Sequence, residues 1–509
     1  MGVPQFWGSW LKPRFTRECR GRPESILIDM NGLLHEVFNE LKDTETDDFF
    51  KLYCSRLRES LDETILPKVT PVLKNLIMCV DGVAPLAKIM QQRKRRWKDL
   101  TDLHDRNMIS PGTLFMEIVD SHIRGWIARS QLPTNTIYSS HKNRGEGEHK
   151  LFFHLKSMRA SLGKGPHLII GLDSDFAMLS VASGIQGIWL YRKLEHESWY
   201  LSIDDLNNGL KEMGPSYAGD FCAMVSLIGN DFVPRLPHIG DVGEYINKMI
   251  DVRKRIELPL TTRGDIIWSN MFTFLRALFE TVDQDFIKFR ERSFRYRHMM
   301  LEECTGRTQD EGKSVTYFDR DKFSKMWIGR AVLMEGLNHL GSNTTSKLMA
   351  FEYLRMISWN LKYYFTHFEA SSWMFYPFNF APLASDLITV PVELLGSVQG
   401  SKRELTDYEQ LHLILPSRSS SLIPRCKENL LTVVPPGGFP TILEGCNAEY
   451  HGITIVPFPD ISPILNSHIG SSGLMEEEIK HRPETRVYRY MPRADIRKPR
   501  IRYVKKLPL

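Results

Sequence analysis

The sequence predicts an α/β fold, with a mixed, mainly parallel sheet covered by helices on both faces, followed by a second, largely helical domain. The first observation is that four apolar runs each end in an aspartate; they are SILID (Asp29), NLIMCVD (Asp81), HLIIGLD (Asp173) and MVSLIGND (Asp231). Short apolar runs separated by amphipathic, helix-like stretches are typical of a buried parallel sheet. The second observation is that the chain becomes helix-like and aromatic from about residue 260.

The 509-residue chain is too long for one small core, and we divide it into three parts. Residues 1–245 are predicted to form the α/β domain. Residues 260–470 form the helical, aromatic-rich block that packs on it, and residues 471–509 form a basic tail. The tail, with aromatic residues between its charges, is either a solvated segment or a surface that binds RNA or a protein.

Composition excludes several classes of protein. The net charge of +5 permits a polyanionic partner without requiring one. No apolar run reaches the roughly 20 residues of a membrane span, and the seven cysteines form no Cys-x-x-Cys pair of a zinc knuckle. We expect a soluble monomer in the cytoplasm, with no membrane partner; the basic run RKPR at 497–500 leaves the nucleus as the alternative.

A set of carboxylates is predicted to meet at one edge of the sheet, because the carboxyl ends of parallel strands lie together and ligands bind there. The first three apolar runs read as strands, whereas MVSLIGND could equally end a buried helix. The motif RGEGEHK adds two glutamates directly before a helix-like segment. The predicted catalytic and metal-ligating residues are Asp29, Asp81, Glu146, Glu148, Asp173, Asp175 and Asp231.

These seven carboxylates would repel one another unless cations neutralise them. Without a cluster of histidines and cysteines, the expected cations are hard, oxygen-preferring ions, Mg²⁺ or Mn²⁺. Two such ions about 4 Å apart can activate a water and stabilise the leaving oxygen during phosphodiester hydrolysis. For any single aspartate after a strand, the alternative is an ordinary turn or helix cap.

A basic helix is predicted directly after Asp81, in the segment DGVAPLAKIMQQRKRRWKDL. At 100° per residue, one face carries Lys88, Gln92, Arg95 and Arg96. Such a face can bind a terminal phosphate through charge-assisted hydrogen bonds, although a solvated basic helix is the alternative. His35, shortly after Asp29, either stacks on a base or is an ordinary core histidine.

The motifs taken together resemble the 5′→3′ exoribonucleases of the Xrn type. The matching stretches are MGVP, IDMNGLLH, VDGVAPLAKIMQQRKRR, GEGEHK, GLDSDFAML, SLIGNDFVPRLPHI, EGLNHL, YPFNFAPLASDL and LILPSRSSSLIP. They are long, occur in order and extend over about residues 1–470.

This resemblance implies a PIN/5′-nuclease-like fold and a specific reaction. Members of the family degrade single-stranded RNA from a 5′-monophosphate end to nucleoside monophosphates, in RNA decay or processing, with two Mg²⁺ or Mn²⁺ ions. The resemblance assigns the seven carboxylates to the metals and the four residues of the basic helix to the 5′-phosphate. It assigns base stacking to His35 and, within SSWMFYP, to Trp373.

Three other functions are compatible with parts of the pattern. A structure-specific 5′ nuclease acting on DNA has similar carboxylates, and a non-catalytic RNA-binding paralogue would share the fold. A phosphatase of the haloacid dehalogenase type is suggested by IDMNG, but that chemistry needs a second aspartate where Asn31 stands.

Overall fold

The computed structural model describes residues 2–19, 21–97, 102–194, 197–310, 313–396, 404–424, 426, 428–435, 438–449, 452–466, 488–490 and 502–503. The chain forms two compact units, which we call the sheet unit and the helical unit. The sheet unit comprises Phe15–Leu206, Ser401–Gly437 and Pro459–Leu509. The helical unit comprises Met1–Arg14, Asn207–Gly400 and Gly438–Phe458.

The strands and α-helices are numbered in chain order. The strands are β1 (Thr16–Arg17), β2 (Ser25–Asp29), β3 (Asn75–Cys79), β4 (Asn135–Ser139), β5 (His167–Ile170), β6 (Ile188–Leu194), β7 (Glu197–Ser202), β8 (Thr261–Thr262), β9 (Asp265–Ile266), β10 (Thr305–Asp310), β11 (Lys313–Phe318), β12 (Thr441–Ile442), β13 (Ile453–Thr454), β14 (Tyr488–Tyr490) and β15 (Arg502–Tyr503). The helices are α1 (Lys12–Phe15), α2 (Met30–Leu41), α3 (Phe49–Ile65), α4 (Leu86–Arg96), α5 (Leu114–Arg129), α6 (Gly147–Ser157), α7 (Asp175–Ser183), α8 (Ile203–Leu210), α9 (Tyr217–Ser226), α10 (Val242–Ile256), α11 (Trp268–Phe279), α12 (Val282–Glu291), α13 (Met299–Glu303), α14 (Arg320–Met334), α15 (Ser342–Thr366), α16 (Ala384–Leu387), α17 (Asp407–Ile414) and α18 (Ser462–Asn466).

The sheet unit is built on one mixed sheet with the strand order β1-β7-β6-β5-β2-β3-β4-β14-β15. Its centre, from β6 through β5, β2 and β3 to β4, is parallel, and the outer strands pair antiparallel. Because the register aligns Ile28 with both Met78 and Ile170, the central strands end at the same edge. The predicted fold class, a mainly parallel α/β sheet with a largely helical second unit, is confirmed.

Both faces of the central strands are buried, as their continuous apolar runs predicted. On one face, Ile26 and Ile28 of β2 pack in a cluster with apolar residues of α2, α3 and α5, including Phe38, Tyr53 and Val119. On the other face, α6 contacts β2 and β3. Each fully buried side chain of this size stabilises the fold by about 1.5–3 kcal/mol, which holds the strand ends in place.

The longest segment of the helical unit begins at Asn207, within the predicted first domain of residues 1–245. The run MVSLIGND is not a strand, because residues 224–226 end α9 and the rest of the run follows that helix; α9 packs against α15 of the same unit. Asn360 Nδ2 donates to Ser226 Oγ at 2.7 Å, and the Tyr353 hydroxyl donates to the carbonyl of Leu227 at 3.2 Å. Residues 1–245 therefore contribute to both compact units, and Ser401–Gly437 of the predicted second block belongs to the sheet unit.

The predicted basic tail falls mostly outside the described residues. Its two described pieces extend the sheet, because β14 pairs antiparallel with β4 and β15 pairs with β14. Over the described residues, every helix is too short or too polar to cross a membrane.

Candidate active site

Six of the seven predicted carboxylates follow the carboxyl ends of four neighbouring parallel strands. Asp29 is the last residue of β2, and Asp81 lies two residues beyond β3. Glu146 and Glu148 occupy the N-cap and the first turn of α6, after β4. Asp173 lies between β5 and α7, and Asp175 is the first residue of α7. A carboxylate in the first turn of a helix is stabilised by the helix dipole, which favours this placement.

Asp29 and Asp81 face a common point. Asn31 Nδ2 donates to Asp81 Oδ2 at 2.7 Å, and the amide of Gly147 donates to Asp81 Oδ1 at 2.6 Å. A Cβ at Gly147 would lie 3.2 Å from an Oδ1 atom of both aspartates, so the start of α6 approaches both carboxylates closely. Asn31 also accepts a hydrogen bond from the Asp81 amide at 2.9 Å. It therefore orients the second aspartate.

The carboxylates are close enough to perturb one another. The pKa of Asp29 is raised to about 7, first by burial and then by the negative charges of Asp81 and Asp173. The pKa of Glu148 is raised well above its usual value by burial, then by Asp173, with smaller contributions of the same sign from Glu146 and Asp175. Clustered acids with raised pKa values are typical of sites that bind cations or perform catalysis.

The residues present fit a divalent cation. The ligand atoms of Glu146, Glu148 and His149 lie within 4.8 Å of one another, and all three side chains are buried. The surrounding donors are carboxylate oxygens, which suit hard cations such as Mg²⁺ and Mn²⁺. We did not predict His149 as a ligand, although it stands inside the motif GEGEHK.

Lys88 points toward the six carboxylates at this edge of the sheet, which we call the acidic cluster. Its Nζ lies 2.5 Å from Glu146 Oε2 and 4.0 Å from Glu148 Oε1. The lysine and both glutamates are each less than 10 % exposed, at 6 %, 2 % and 6 %. Its predicted contact with a terminal phosphate remains a prediction, because this side chain pairs with carboxylates.

The predicted phosphate-binding face of α4, which we call the phosphate face, also carries Gln92, Arg95 and Arg96. Gln92 is buried, and among the described residues its Oε1 has no hydrogen-bond partner. Arg96 donates through a terminal nitrogen to the carbonyl of Ile109 at 3.1 Å, and Arg95 is exposed. The pKa of the half-buried His35 is lowered to about 3 by burial and then by the charges of Arg96 and Arg95. The structure thus brings His35 and the two arginines together.

The opposite face of α4 holds the helix in the fold. Arg93 is buried, donates to the carbonyl of Leu413 and lies with its guanidinium 3.8 Å from the centre of the Trp97 ring. Trp97 Nε1 donates to the carbonyl of Ile414 at 2.9 Å. Helix periodicity places Arg93 off the face that carries Lys88, Gln92, Arg95 and Arg96, and these contacts agree with that placement.

Two predicted site residues belong to the helical unit. Asp231 follows α9, and Trp373, which is half-buried, follows α15. Their association with the six carboxylates remains a prediction.

The sequence did not identify two further residues near the acidic cluster. The Lys150 ammonium is buried in α6 and donates to the carbonyls of Ser140 and Asn143, at 2.8 and 3.1 Å, which fixes the loop before Glu146. Burial lowers the pKa of Lys150 to about 8. Arg192 of β6 lies near Asp173, whose charge opposes the lowering of the Arg192 pKa by burial. Lys150 is the last residue of the motif GEGEHK, which could have identified it. No motif around Arg192 indicates a functional role.

Comparisons with known proteins match both units. The family model described as XRN 5′-3′ exonuclease N-terminus matches residues 1–104 and 99–193, and the Xrn1 helical domain model matches residues 333–491. The human protein named 5′-3′ exoribonuclease 1 is 25% identical over 94% of this chain and 35% of its own length. Its namesake in Schizosaccharomyces pombe is 23% identical over 95% of this chain and 49% of its own length.

The chain therefore spans between about a third and a half of the length of these two curated relatives. Among solved structures, the catalytic core of Rad2 in complex with DNA substrate aligns with a TM-score of 0.36 and 17% identity. That alignment covers 64% of this chain and 96% of the Rad2 chain.

Proposed function

Because this chain belongs to the Xrn family of 5′-3′ exonucleases, we propose that it is a metal-dependent 5′→3′ exoribonuclease. Its substrate is single-stranded RNA with a 5′-monophosphate, and its products are nucleoside monophosphates. The observation that carries the proposal is the group of six carboxylates after β2, β3, β4 and β5, next to the basic helix α4.

The acidic cluster supports hydrolysis that depends on two Mg²⁺ or Mn²⁺ ions. When bound, such ions supply an activated water and neutralise charge at the scissile phosphodiester. The ligands would be the six carboxylates of the sheet unit, with His149 as a further donor. Asn31 holds the Asp81 carboxylate in one orientation through a 2.7 Å hydrogen bond. Lys150 fixes the loop that carries Glu146.

The end of the RNA would bind along α4. Gln92 offers a buried amide, and Arg95 and Arg96 offer guanidinium groups that suit the oxygens of a terminal phosphate. His35 lies beside these arginines, and burial holds its imidazole neutral at physiological pH. A neutral ring at this position can stack on the first base, and base stacking by Trp373 is a separate part of the proposal.

The experiment is a comparison of degradation rates on matched substrates. The purified protein is incubated, with and without Mg²⁺, with RNAs that carry a 5′-monophosphate, 5′-triphosphate or 5′-hydroxyl, and with a DNA flap. We expect Mg²⁺-dependent release of nucleoside monophosphates from the 5′-monophosphate RNA, and slow decay of the other RNAs. Preferential cutting of the flap would indicate a structure-specific DNA nuclease, and binding without cleavage would indicate a non-catalytic RNA-binding protein.

We also propose that the protein acts as a monomer in the cytoplasm on RNAs undergoing decay. Light scattering of the purified protein measures its mass against the 58.9 kDa of one chain. Imaging of the tagged protein would distinguish the cytoplasm from the nucleus.

A further inference from the structure

Lys88 lies between two groups of residues to which we assign different ligands. Its side chain pairs with Glu146 and Glu148, while its helix carries the proposed phosphate-binding residues Gln92, Arg95 and Arg96. We propose that Lys88 couples the binding of a divalent cation at the glutamates to the binding of a terminal phosphate on α4. In the metal-free protein its ammonium neutralises the glutamates, and a divalent cation displaces it toward the terminal phosphate. This inference rests on the proposed function, because it requires both ligands to bind.

A buried ion pair joins Lys88 to the two glutamates. The Lys88 ammonium lies 2.5 Å from Glu146 Oε2 and 4.0 Å from Glu148 Oε1, and all three side chains are buried. A buried charge without a partner destabilises a protein strongly, so glutamates in this position need a cation of some kind. In the described structure Lys88 supplies one positive charge to them.

A bound divalent cation would compete with Lys88 for the same carboxylate oxygens. Glu146 and Glu148 are also the residues that, with His149, present ligand atoms within 4.8 Å of one another. A divalent cation bound by these carboxylates would place two positive charges next to the Lys88 ammonium that now neutralises them. Like charges at this separation repel, so the cation and the Lys88 ammonium compete.

A displaced Lys88 side chain can move along α4 toward Gln92. Lys88 and Gln92 are four residues apart on α4, so their side chains are neighbours on one helix face. The Oε1 of Gln92 is buried and without a partner among the described residues, so the amide can reorient to donate to an anion. A lysine has a flexible four-carbon stem, and a phosphate bound near Gln92 would give the displaced ammonium a new counter-charge.

Thermodynamic linkage turns this geometry into a measurable quantity. If cation binding releases Lys88 to the phosphate, the phosphate must tighten cation binding by the same factor. Allosteric couplings are typically about 5- to 150-fold, so an effect of at least about fivefold is expected.

The test measures Mn²⁺ affinity by electron paramagnetic resonance, without following hydrolysis. The full chain is titrated with Mn²⁺ alone and with a phosphorothioate-blocked oligonucleotide that ends in either a 5′-phosphate or a 5′-hydroxyl. In the unmodified protein we expect the 5′-phosphate to tighten Mn²⁺ binding by about fivefold or more relative to the 5′-hydroxyl. Lys88→Met should bind Mn²⁺ more tightly without oligonucleotide, and should lose most of the difference between the two ends.

Two variants make the result specific. Lys94→Met removes the same charge from the same helix at a position off the phosphate face, and should behave like the unmodified protein. Lys88→Arg keeps a competing positive charge, and its Mn²⁺ affinity without oligonucleotide should remain near that of the unmodified protein. Thermal melting of Lys88→Met should show lower stability without metal and recovery with Mn²⁺, because its glutamates lack a cation.

Several results would overturn the inference. If Lys88→Met keeps the full effect of the 5′-phosphate on Mn²⁺ affinity, direct attraction between metal and phosphate accounts for the coupling without Lys88. If Lys88→Met binds Mn²⁺ no more tightly than Lys94→Met, the ammonium does not compete with the cation. A protein that degrades 5′-monophosphate RNA with Mg²⁺ but gives either result has the proposed function without this coupling. An absence of Mn²⁺ binding in every variant contradicts the metal site and the inference together.

Discussion

Asp220 of the helical unit and Glu148 of the sheet unit are both buried carboxylates, but their surroundings differ. Asp220 accepts hydrogen bonds from Arg253 Nε at 2.7 Å, from the Thr261 amide and hydroxyl at 2.9 and 2.8 Å, and from two further groups. Glu148 lies among other carboxylates, and their charges and its burial raise its pKa. A buried acid that is surrounded by donors holds a fold together, whereas buried acids that face one another require a ligand.

This difference predicts opposite outcomes when one negative charge is removed from each unit. The largest expected effect is on hydrolysis. Asp173→Asn or Asp175→Asn should abolish RNA degradation in Mg²⁺, because each removes a charge that the metal site uses. Binding of 5′-monophosphate RNA should be largely retained. Near-normal turnover in either variant would contradict the metal assignment.

The matching change in the helical unit should act on stability instead. Asp220→Asn leaves the buried Arg253 guanidinium without its counter-charge, which typically costs about 3–5 kcal/mol. Urea unfolding should show this loss in the free energy of unfolding. The specific activity of the fraction that remains folded should be unchanged. A large loss of activity without a loss of stability would mean that Asp220 also serves the reaction.

The pH dependence of stability should distinguish the acidic cluster from ordinary buried acids. The pKa of Asp29 is about 7 in the folded chain, above its value of about 3.9 in an unfolded chain. The folded state therefore binds more protons at Asp29 between these values, and the contribution of Asp29 to stability should fall as the pH rises from about 4 to about 7. Histidines such as His35, whose pKa is lowered to about 3, act in the opposite direction. The Asp29 contribution is therefore measured as the difference in melting temperature in EDTA between the unmodified protein and Asp29→Asn. A difference that does not change with pH in this direction would contradict the raised pKa.

A smaller effect is expected at the phosphate face of α4. Arg96→Ala or Arg95→Ala removes a charge-assisted hydrogen bond worth about 1.5–3 kcal/mol, which corresponds to about tenfold or more in rate. The rate should fall on 5′-monophosphate RNA and change little on 5′-hydroxyl RNA. The preference of the enzyme for the 5′-monophosphate end should therefore become smaller. Lys94→Met serves as the control for general loss of positive charge. A uniform slowdown on both RNAs would make this helix a general backbone-binding surface.

The smallest effect is expected from the tail. Deleting residues from 480 removes β14 from the edge of β4, where it pairs along three residues. The free energy of unfolding should fall by about 1 kcal/mol, because the pairing of β14 with β4 is short. Cutting of a short oligonucleotide should persist, and binding to long RNA should weaken most at low salt. Equal losses on short and long RNA would show that the tail acts through the fold.

The sequence alone was sufficient for features that depend on local spacing. Apolar runs that end in aspartate placed Asp29, Asp81 and Asp173 at one sheet edge, because parallel strands share their carboxyl ends. The motif GEGEHK placed two glutamates at the start of a helix. Periodicity along α4 separated the face of Gln92 from that of Arg93, because a helix turns 100° at each residue.

Only the tertiary structure decided features that depend on distant parts of the chain. It assigned α9 and Ser401–Gly437 to compact units that differ from the predicted domains, since packing partners far along the chain determine those assignments. It also placed Asn31 on Asp81 and directed Lys88 to Glu146. No periodicity encodes these contacts, because whether a buried charge finds a carboxylate or a phosphate depends on which groups the folded chain brings within a few ångströms.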